Sequence, residues 1–527
     1  MRGRNFLFIG ITCCWGRDPK LWPLPSSSVF SEDTCTVHSD FQFVLIGTTL
    51  AQTAYDRVLS RAVSRANDDA GSLLSFVTPD VGSCSLLVCH VIADNSANAW
   101  VAAAESESYS IVWDGGFRTC EIRCAYSVLG CMHGLTTFLQ MIDPVSGFAI
   151  PRNIQITDAP QFVHRGLLID TGRRFLPVSV IMTNIDAMAA TKMNVLHWHI
   201  VDDHSFPYQS LVYPDLSGKG AYSQSAIYTQ RDIQKLVQYA NDRGIQLVPE
   251  FDMPGHASSW FEGHPELRGI AAYAIDPSRE ENYTFISNLL AEVANVFKSH
   301  LFGGDKFKIH LGGDETWDGW DTREMAKWMV SRNMYSKGDL AKYWLGRLSG
   351  IAQSLSLDVT LWQDFLGDTN DVATDYTWQM WYKGWDDTVN LSLRNPNASI
   401  LWSSNWYLDH LELQWEDMYG SYLRDNTNGG ILGGEACMWG ESVDEMNFMT
   451  RVWPRTSAVA ERLWSNPSTS SSAAASRLAK WVCRTRTFGN IPVANIGRTY
   501  ADNPDREWTW HTEFEQWYCE ELDLIPQ

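Results

Sequence analysis

Asp314 and Glu315 stand side by side, with Gly312 and Gly313 before them and tryptophans at 317 and 320 after them. Two neighbouring carboxylates repel each other when both are ionised. Most such pairs are exposed acidic turns. The other use is a reactive site where unlike environments push two proton affinities apart, leaving one group as an acid and the other as an anion. Histidines offer a second chemistry. His197 and His199, spaced i and i+2, point the same way from a strand. With Asp202, His256 and His310 they form a nitrogen–oxygen set suited to a metal ion. Flanking Trp198 as they do, they suit packing and hydrogen bonding inside a barrel equally well.

Positioning such groups requires a scaffold. Lys308 to Leu311 read as a short strand that the two glycines break. From residue 160 onward, short apolar strands alternate with amphipathic helices, the pattern of a parallel α/β architecture. A helix over 177–192 opens with Pro177 and lines up Ile181, Ile185 and Met188. A second starts after Thr229, an N-cap with Asp232 three residues on, and stops at Gly244. Strands are expected at 166–170, 194–200, 245–251, 308–312, 359–364, 376–381, 399–404 and 430–436. Eight strands with intervening helices predict a (β/α)8 TIM barrel, whose functional residues come from the C-terminal strand ends. Polar residues collect there: Asp170, Asp202, Asp203, Glu250 to His256, Asp314, Glu315, Asp364, Asp409 and Glu441. An isolated acidic turn does not predict that concentration, so the carboxylate pair belongs at the barrel mouth. Consecutive carboxylates do not straddle a sugar ring as the usual two glycosidase acids do. They suit a reaction in which the substrate's own group is the nucleophile.

The remainder of the chain divides into 1–16, 17–160 and 161–527. Arg2 and Arg4 precede the apolar run Phe6 to Trp15, which reads as a signal peptide and is too short to cross a bilayer. No other run is long and apolar enough for a transmembrane helix. Residues 17–160 read as a smaller α+β domain, with a helix over 54–68 and a loop over 92–108. Cys35, Cys84, Cys89, Cys120, Cys124, Cys131, Cys483 and Cys519 are available for bridges, and Cys437 reads as a buried free thiol. No C-x-x-C pair suggests zinc. Sequons at Asn282, Asn390 and Asn397 fit a secretory route. The net charge of −21 argues against nucleic acid or anionic membrane as a partner. The 24 tryptophans suit either an aromatic core or the apolar faces of sugars.

The stretches "RGLLIDTGRRF" (165–175), "HWHIVDDHSFPYQS" (197–210), "PEFDMPGH" (249–256), "HLGGDE" (310–315), "GGEACMWGE" (433–441) and "WPRTSAVAERLWS" (453–465) occur in that order. Through them the chain resembles the β-N-acetylhexosaminidases of glycoside hydrolase family 20, in particular the eukaryotic lysosomal or secreted ones. The resemblance implies retaining, substrate-assisted removal of terminal β-linked GlcNAc or GalNAc, with no metal or other cofactor. Glu315 would be the general acid and base, and Asp314 would orient the acetamido N–H. An ionised Asp314 would also help keep Glu315 protonated. Tyr407 would bind the acetamido oxygen within walls formed by Trp362, Trp381 and Trp439. Arg165, Asp409 and Glu441 would contact ring hydroxyls, and Asp202 and His256 would support the acid. Relatives are often dimers, so a homodimer is an expectation, as is a lysosomal or secreted location. The segment 257–300 contains no cysteine, so a barrel-loop disulfide common in animal relatives cannot form. A catalytically dead sugar-binding barrel would show a damaged acid or pocket, and all of these residues are present.

Overall fold

The computed structural model describes residues 20–496 except 47–53, 76–83, 94–103, 143–147, 300–305, 370–374, 422–429 and 466. The signal segment expected at 1–16 and Cys519 lie outside the described residues. Eight parallel strands close into a barrel in chain order: β1 (His164–Asp170), β2 (Val195–Val201), β3 (Gln246–Phe251), β4 (Phe307–His310), β5 (Leu357–Trp362), β6 (Tyr376–Met380), β7 (Ser399–Trp402) and β8 (Ile431–Met438), which pairs back with β1. β1, β2 and β3 are buried at every position. Such strands need continuous apolar runs, because helices cover one face and the barrel interior the other. Each expected strand is present, with ends shifted by no more than two residues.

The helices start where the local chemistry directs. Pro177 caps Val178–Ala190. Before Gln230–Asn241, the Thr229 hydroxyl accepts from the Asp232 backbone N–H while the Asp232 carboxylate accepts from the Thr229 N–H at 3.0 Å. Ile233, Leu236, Val237 and Ala240 form its buried stripe, and the left-handed turn that follows falls on Gly244, φ 74°.

Ahead of the barrel stands a six-stranded sheet in the order Ser27–Phe30, Asn153–Asp158, Tyr109–Asp114, Thr119–Cys124, Val88–Ala93 and Gln42–Leu45. Helices Ala54–Leu74 and Val128–Met141 pack together beside it. Disulfides join Cys35 to Cys84, Cys89 to Cys120 and Cys124 to Cys131. Cys483 is also disulfide-bonded, and Cys437 is free and buried.

Two expectations are corrected here. Of the loop expected over 92–108, residues 94–103 lie outside the described residues and Ile92–Ala93 end a strand. The segment ends in a 3-10 turn, Ala104–Glu107, and Glu107 is buried against the barrel. Asn282 cannot carry a glycan: it is 1% exposed, and its amide donates to the Leu267 and Asp276 carbonyls at 2.9 Å each. Asn390 and Asn397 are exposed.

The sheet and the barrel are joined by buried charge pairs. Glu107 takes two hydrogen bonds from the Arg165 guanidinium, at 3.2 and 2.5 Å, and pairs with His133 at 2.8 Å. Beside them Lys192 meets Asp158 at 3.0 Å, and Trp464 donates to the same carboxylate. Burial alone would raise the Glu107 carboxyl, but Arg165 and His133 hold it down at about 2.

Candidate active site

The two glycines explain how the carboxylate pair leaves its strand. Gly312 and Gly313 have φ of 65° and 97°. A Cβ on Gly312 would lie 1.7 Å from Oδ1 of Asp252, so no larger residue fits. The Gly313 N–H donates to that same oxygen at 3.1 Å. This tight turn separates the environments of two consecutive side chains. Asp314 keeps 15% of its side chain exposed and Glu315 keeps 64%. Glu315 is itself left-handed, φ 47°, and its N–H donates to Oδ1 of Asp364 at 3.2 Å.

His256, on the loop after β3, faces both acids. Its Nε2 is 3.6 Å from Asp314 and 3.5 Å from Glu315, while Nδ1 is 3.7 Å from Asp202 and 3.7 Å from Asp203. Burial opposes a charged imidazole, but the Glu315 hydrogen bond and the charges of Asp314, Asp252 and Asp202 push His256 up to about 11. The same hydrogen bond holds Glu315 below the usual carboxyl range. Burial pushes Asp314 up. Both shifts run against the direction that an ionised Asp314 beside a protonated Glu315 requires. Burial is the cause at Asp314, and His256, hydrogen-bonded to the more exposed acid, is the cause at Glu315.

Next to the pair lies an aromatic pocket. Trp362, Trp439, Leu168 and Cys437 form one buried cluster against which Trp381 and Tyr407 pack. Trp381 and Tyr407 stack with centroids 6.3 Å apart, and Tyr407 and Trp362 lie 6.2 and 5.8 Å from Trp439. Trp362 donates to Glu250 at 2.9 Å and Trp381 to Asp364 at 2.8 Å. Burial, together with Asp314, pushes Asp364 up to about 6.

Arg165 is not at this mouth. It is the second residue of β1, at the N-terminal end of the barrel, fully buried and saturated by Glu107 and the carbonyls of Phe162 and Lys192. The arginine that does reach the site is Arg173, just beyond the C-terminal end of the same strand. It pairs with Asp170 at 2.9 Å, Asp202 at 3.1 Å and Glu441 at 3.2 Å, and its guanidinium lies 5.0 Å from the Trp439 ring centroid. Asp409 is half-buried, and burial raises its carboxyl. Its loop is clamped by Arg455, which donates to the Leu408, His410 and Leu413 carbonyls at 2.6, 3.1 and 3.2 Å.

Beneath the pocket the barrel histidines pair with carboxylates. His197 meets Glu435 at 2.8 Å and Glu250 at 3.0 Å; His199 meets Glu250 at 2.6 Å and Asp202 at 3.0 Å. His310 lies 2.9 Å from Glu250. Among the described residues, His197–Glu250–His310 and Asp202–Asp252–His256 both bring ligand atoms within 4.8 Å of one another. The same atoms orient Trp362 and His256, so the set has a positioning task whether or not a cation visits it.

Comparisons with known proteins agree with this architecture. The glycosyl hydrolase family 20 catalytic domain matches residues 162–467. The chain is 36% identical to the beta-hexosaminidase subunit beta of Felis catus, over 76% of this chain and 77% of that one. It is 33% identical to beta-hexosaminidase 1 of Arabidopsis thaliana, over 92% and 93%. Among solved structures, the chitobiase of Flavobacterium johnsoniae superposes with a TM-score of 0.76 at 28% identity, covering 89% of this chain and 73% of that one.

Proposed function

The chain belongs to glycosyl hydrolase family 20 and is a glycoside hydrolase of the β-N-acetylhexosaminidase type; from that premise we propose that it removes terminal β-linked GlcNAc or GalNAc with the substrate's acetamido group as nucleophile. The observation that carries this reading is the pair itself. Asp314 and Glu315 leave one strand on one glycine turn, one carboxyl buried beside the aromatic pocket and the other open. The acetamido group enters between Trp362, Trp381 and Trp439, which exclude water. The Tyr407 hydroxyl donates to its carbonyl oxygen, and Asp314 accepts its N–H. That hydrogen bond favours the ionised form of Asp314, opposing the upward shift set by burial. The carbonyl oxygen attacks the anomeric carbon while Glu315 protonates the departing glycosidic oxygen. Asp314 faces the positive charge that develops on the acetamido nitrogen. Glu315, now ionised, takes a proton from the water that opens the cyclic intermediate, with net retention. The test is chromophore release from aryl β-GlcNAc and β-GalNAc, with and without EDTA, and identification of the first-formed anomer. Full activity in EDTA with the β-anomer first fits the proposal. An α-anomer or loss of activity in EDTA contradicts it.

Arg173 takes the hydroxyl-binding role expected of Arg165, alongside Glu441 and Asp409. Arg173→Ala should lower kcat/KM by about tenfold to a hundredfold, the worth of one or two charged hydrogen bonds. Arg165→Ala should instead cost about 3–5 kcal/mol of stability by stranding Glu107, with kcat/KM per folded molecule unchanged. Denaturant unfolding alongside kinetics separates the two, and a raised KM at full stability in Arg165→Ala would reverse the assignment.

Asp409 sets the charge preference. A carboxylate beside the sugar's 6-hydroxyl accepts a hydrogen bond from a neutral substrate and repels a 6-sulfate, a clash that costs several kcal/mol in a desolvated site. Neutral aryl glycosides should therefore be preferred strongly over their 6-sulfated forms. Asp409→Asn should narrow the gap by improving the sulfated substrate. Equal kcat/KM for the matched pair in the unmodified enzyme would rule this out.

The disulfides and the exposed Asn390 and Asn397 support a secretory route ending in the lysosome or outside the cell. Among the described residues no helix is long and apolar enough to cross a membrane. A homodimer is part of the proposal by analogy with relatives.

A further inference from the structure

Asp364 has no part in the chemistry described above, yet it touches both halves of the site. It stands two residues after Trp362, the last residue of β5. One oxygen accepts the Glu315 backbone N–H at 3.2 Å, and the other accepts the Trp381 indole N–H at 2.8 Å. Glu315 needs such a restraint, because a left-handed φ of 47° is disfavoured for any residue with a Cβ and persists only where the surroundings enforce it. Trp381 is held from a second side, since Oε1 of the adjacent Gln363 accepts the backbone N–H groups of Trp381 and Tyr382 at 2.7 and 3.0 Å. A third carboxyl close to Asp314 and Glu315 carries an electrostatic cost. An amide would avoid that cost but offers one acceptor where two donors converge.

We propose that Asp364 is a positioning residue that couples the acetamido pocket to the general acid, so that seating the acetamido group against Trp381 and aiming the Glu315 carboxyl are one event. The inference rests on the roles given to Glu315 and Trp381 under the proposed function. It requires the two hydrogen bonds to act together. Asn at 364 can satisfy either Trp381 or Glu315 and must turn an N–H2 toward the other donor. Glu keeps two acceptor oxygens on a longer arm.

The test compares Asp364→Asn and Asp364→Glu with the unmodified enzyme and with Glu315→Gln. Two N-acetyl-β-glucosaminides are used, one with a 2,4-dinitrophenyl and one with an alkyl leaving group, together with the Ki of a GlcNAc-derived thiazoline and the thermal midpoint. Asp364→Asn should lose about 10²-fold on the alkyl glycoside, as a misplaced catalytic group does, and under about tenfold on the dinitrophenyl one, with weaker thiazoline binding. Asp364→Glu should recover part of both losses. A residue that merely stabilises the fold would lower the midpoint and scale both substrates equally. Equal losses on the two substrates, or unchanged thiazoline binding in Asp364→Asn, would overturn the coupling even though Glu315→Gln discriminates between them. A Glu315→Gln enzyme that fails to discriminate would overturn the acid assignment itself, and the inference with it.

Discussion

Glu315→Gln should lower kcat/KM on substrates with poor leaving groups by at least about 10²–10⁴-fold, the usual contribution of general acid catalysis. Gln preserves shape and removes the proton. Cleavage of a very good leaving group needs little protonation, so its first step should suffer far less. The pH profile supplies a second readout. Glu315 acts as acid only when protonated, and its hydrogen bond with His256 holds its carboxyl below the usual range. Activity should therefore fall as pH rises, and that alkaline limb should disappear in the Gln enzyme. Equal, small losses on both kinds of substrate would show that Glu315 is not the acid.

Asp314→Asn should reduce turnover by about 10²–10³-fold, the size of effect seen when one preorganised electrostatic partner of a developing charge is removed. The amide keeps a hydrogen-bond acceptor for the acetamido N–H but loses the negative charge that faces the cyclising group. Loss should fall on kcat more than on KM, because the charge it balances appears only as the reaction proceeds. A KM effect with kcat intact would make Asp314 a ground-state binding residue.

Much of this site was legible before the structure, and the failures have identifiable causes. Strand positions follow from apolar runs such as "VLHWHIV", because a strand buried on both faces has nowhere to place polar residues. The carboxylate pair was locatable because the Gly312–Gly313 turn ends β4 directly before it. Arg165 gives way to Arg173 on barrel geometry: a residue that begins a barrel strand lies at the end opposite the mouth, and Arg173 follows Asp170 at the right end. The role of Glu107 and the burial of the Asn282 sequon escape the sequence for a different reason. Both come from partners far along the chain or from packing: Arg165 for Glu107, a buried pair of carbonyls for Asn282. No local pattern encodes those contacts. The opposed shifts of the two acids were likewise illegible, since they depend on the burial of Asp314 and on His256 standing 3.5 Å from Glu315. Asp364 was visible only as a polar residue at a strand end; its two hydrogen bonds emerge once β4, β5 and β6 lie side by side.

Inhibition by a thiazoline that mimics the cyclised acetamido group tests the central claim, that the substrate supplies its own nucleophile, most directly. A site built to hold that cyclic, charged species binds its analogue far more tightly than the product, commonly by about 10²-fold or more. The thiazoline Ki should therefore lie at least that far below the value for free GlcNAc and should weaken in Asp314→Asn, which lacks the facing charge. A thiazoline that binds no better than GlcNAc would contradict substrate-assisted catalysis in this protein.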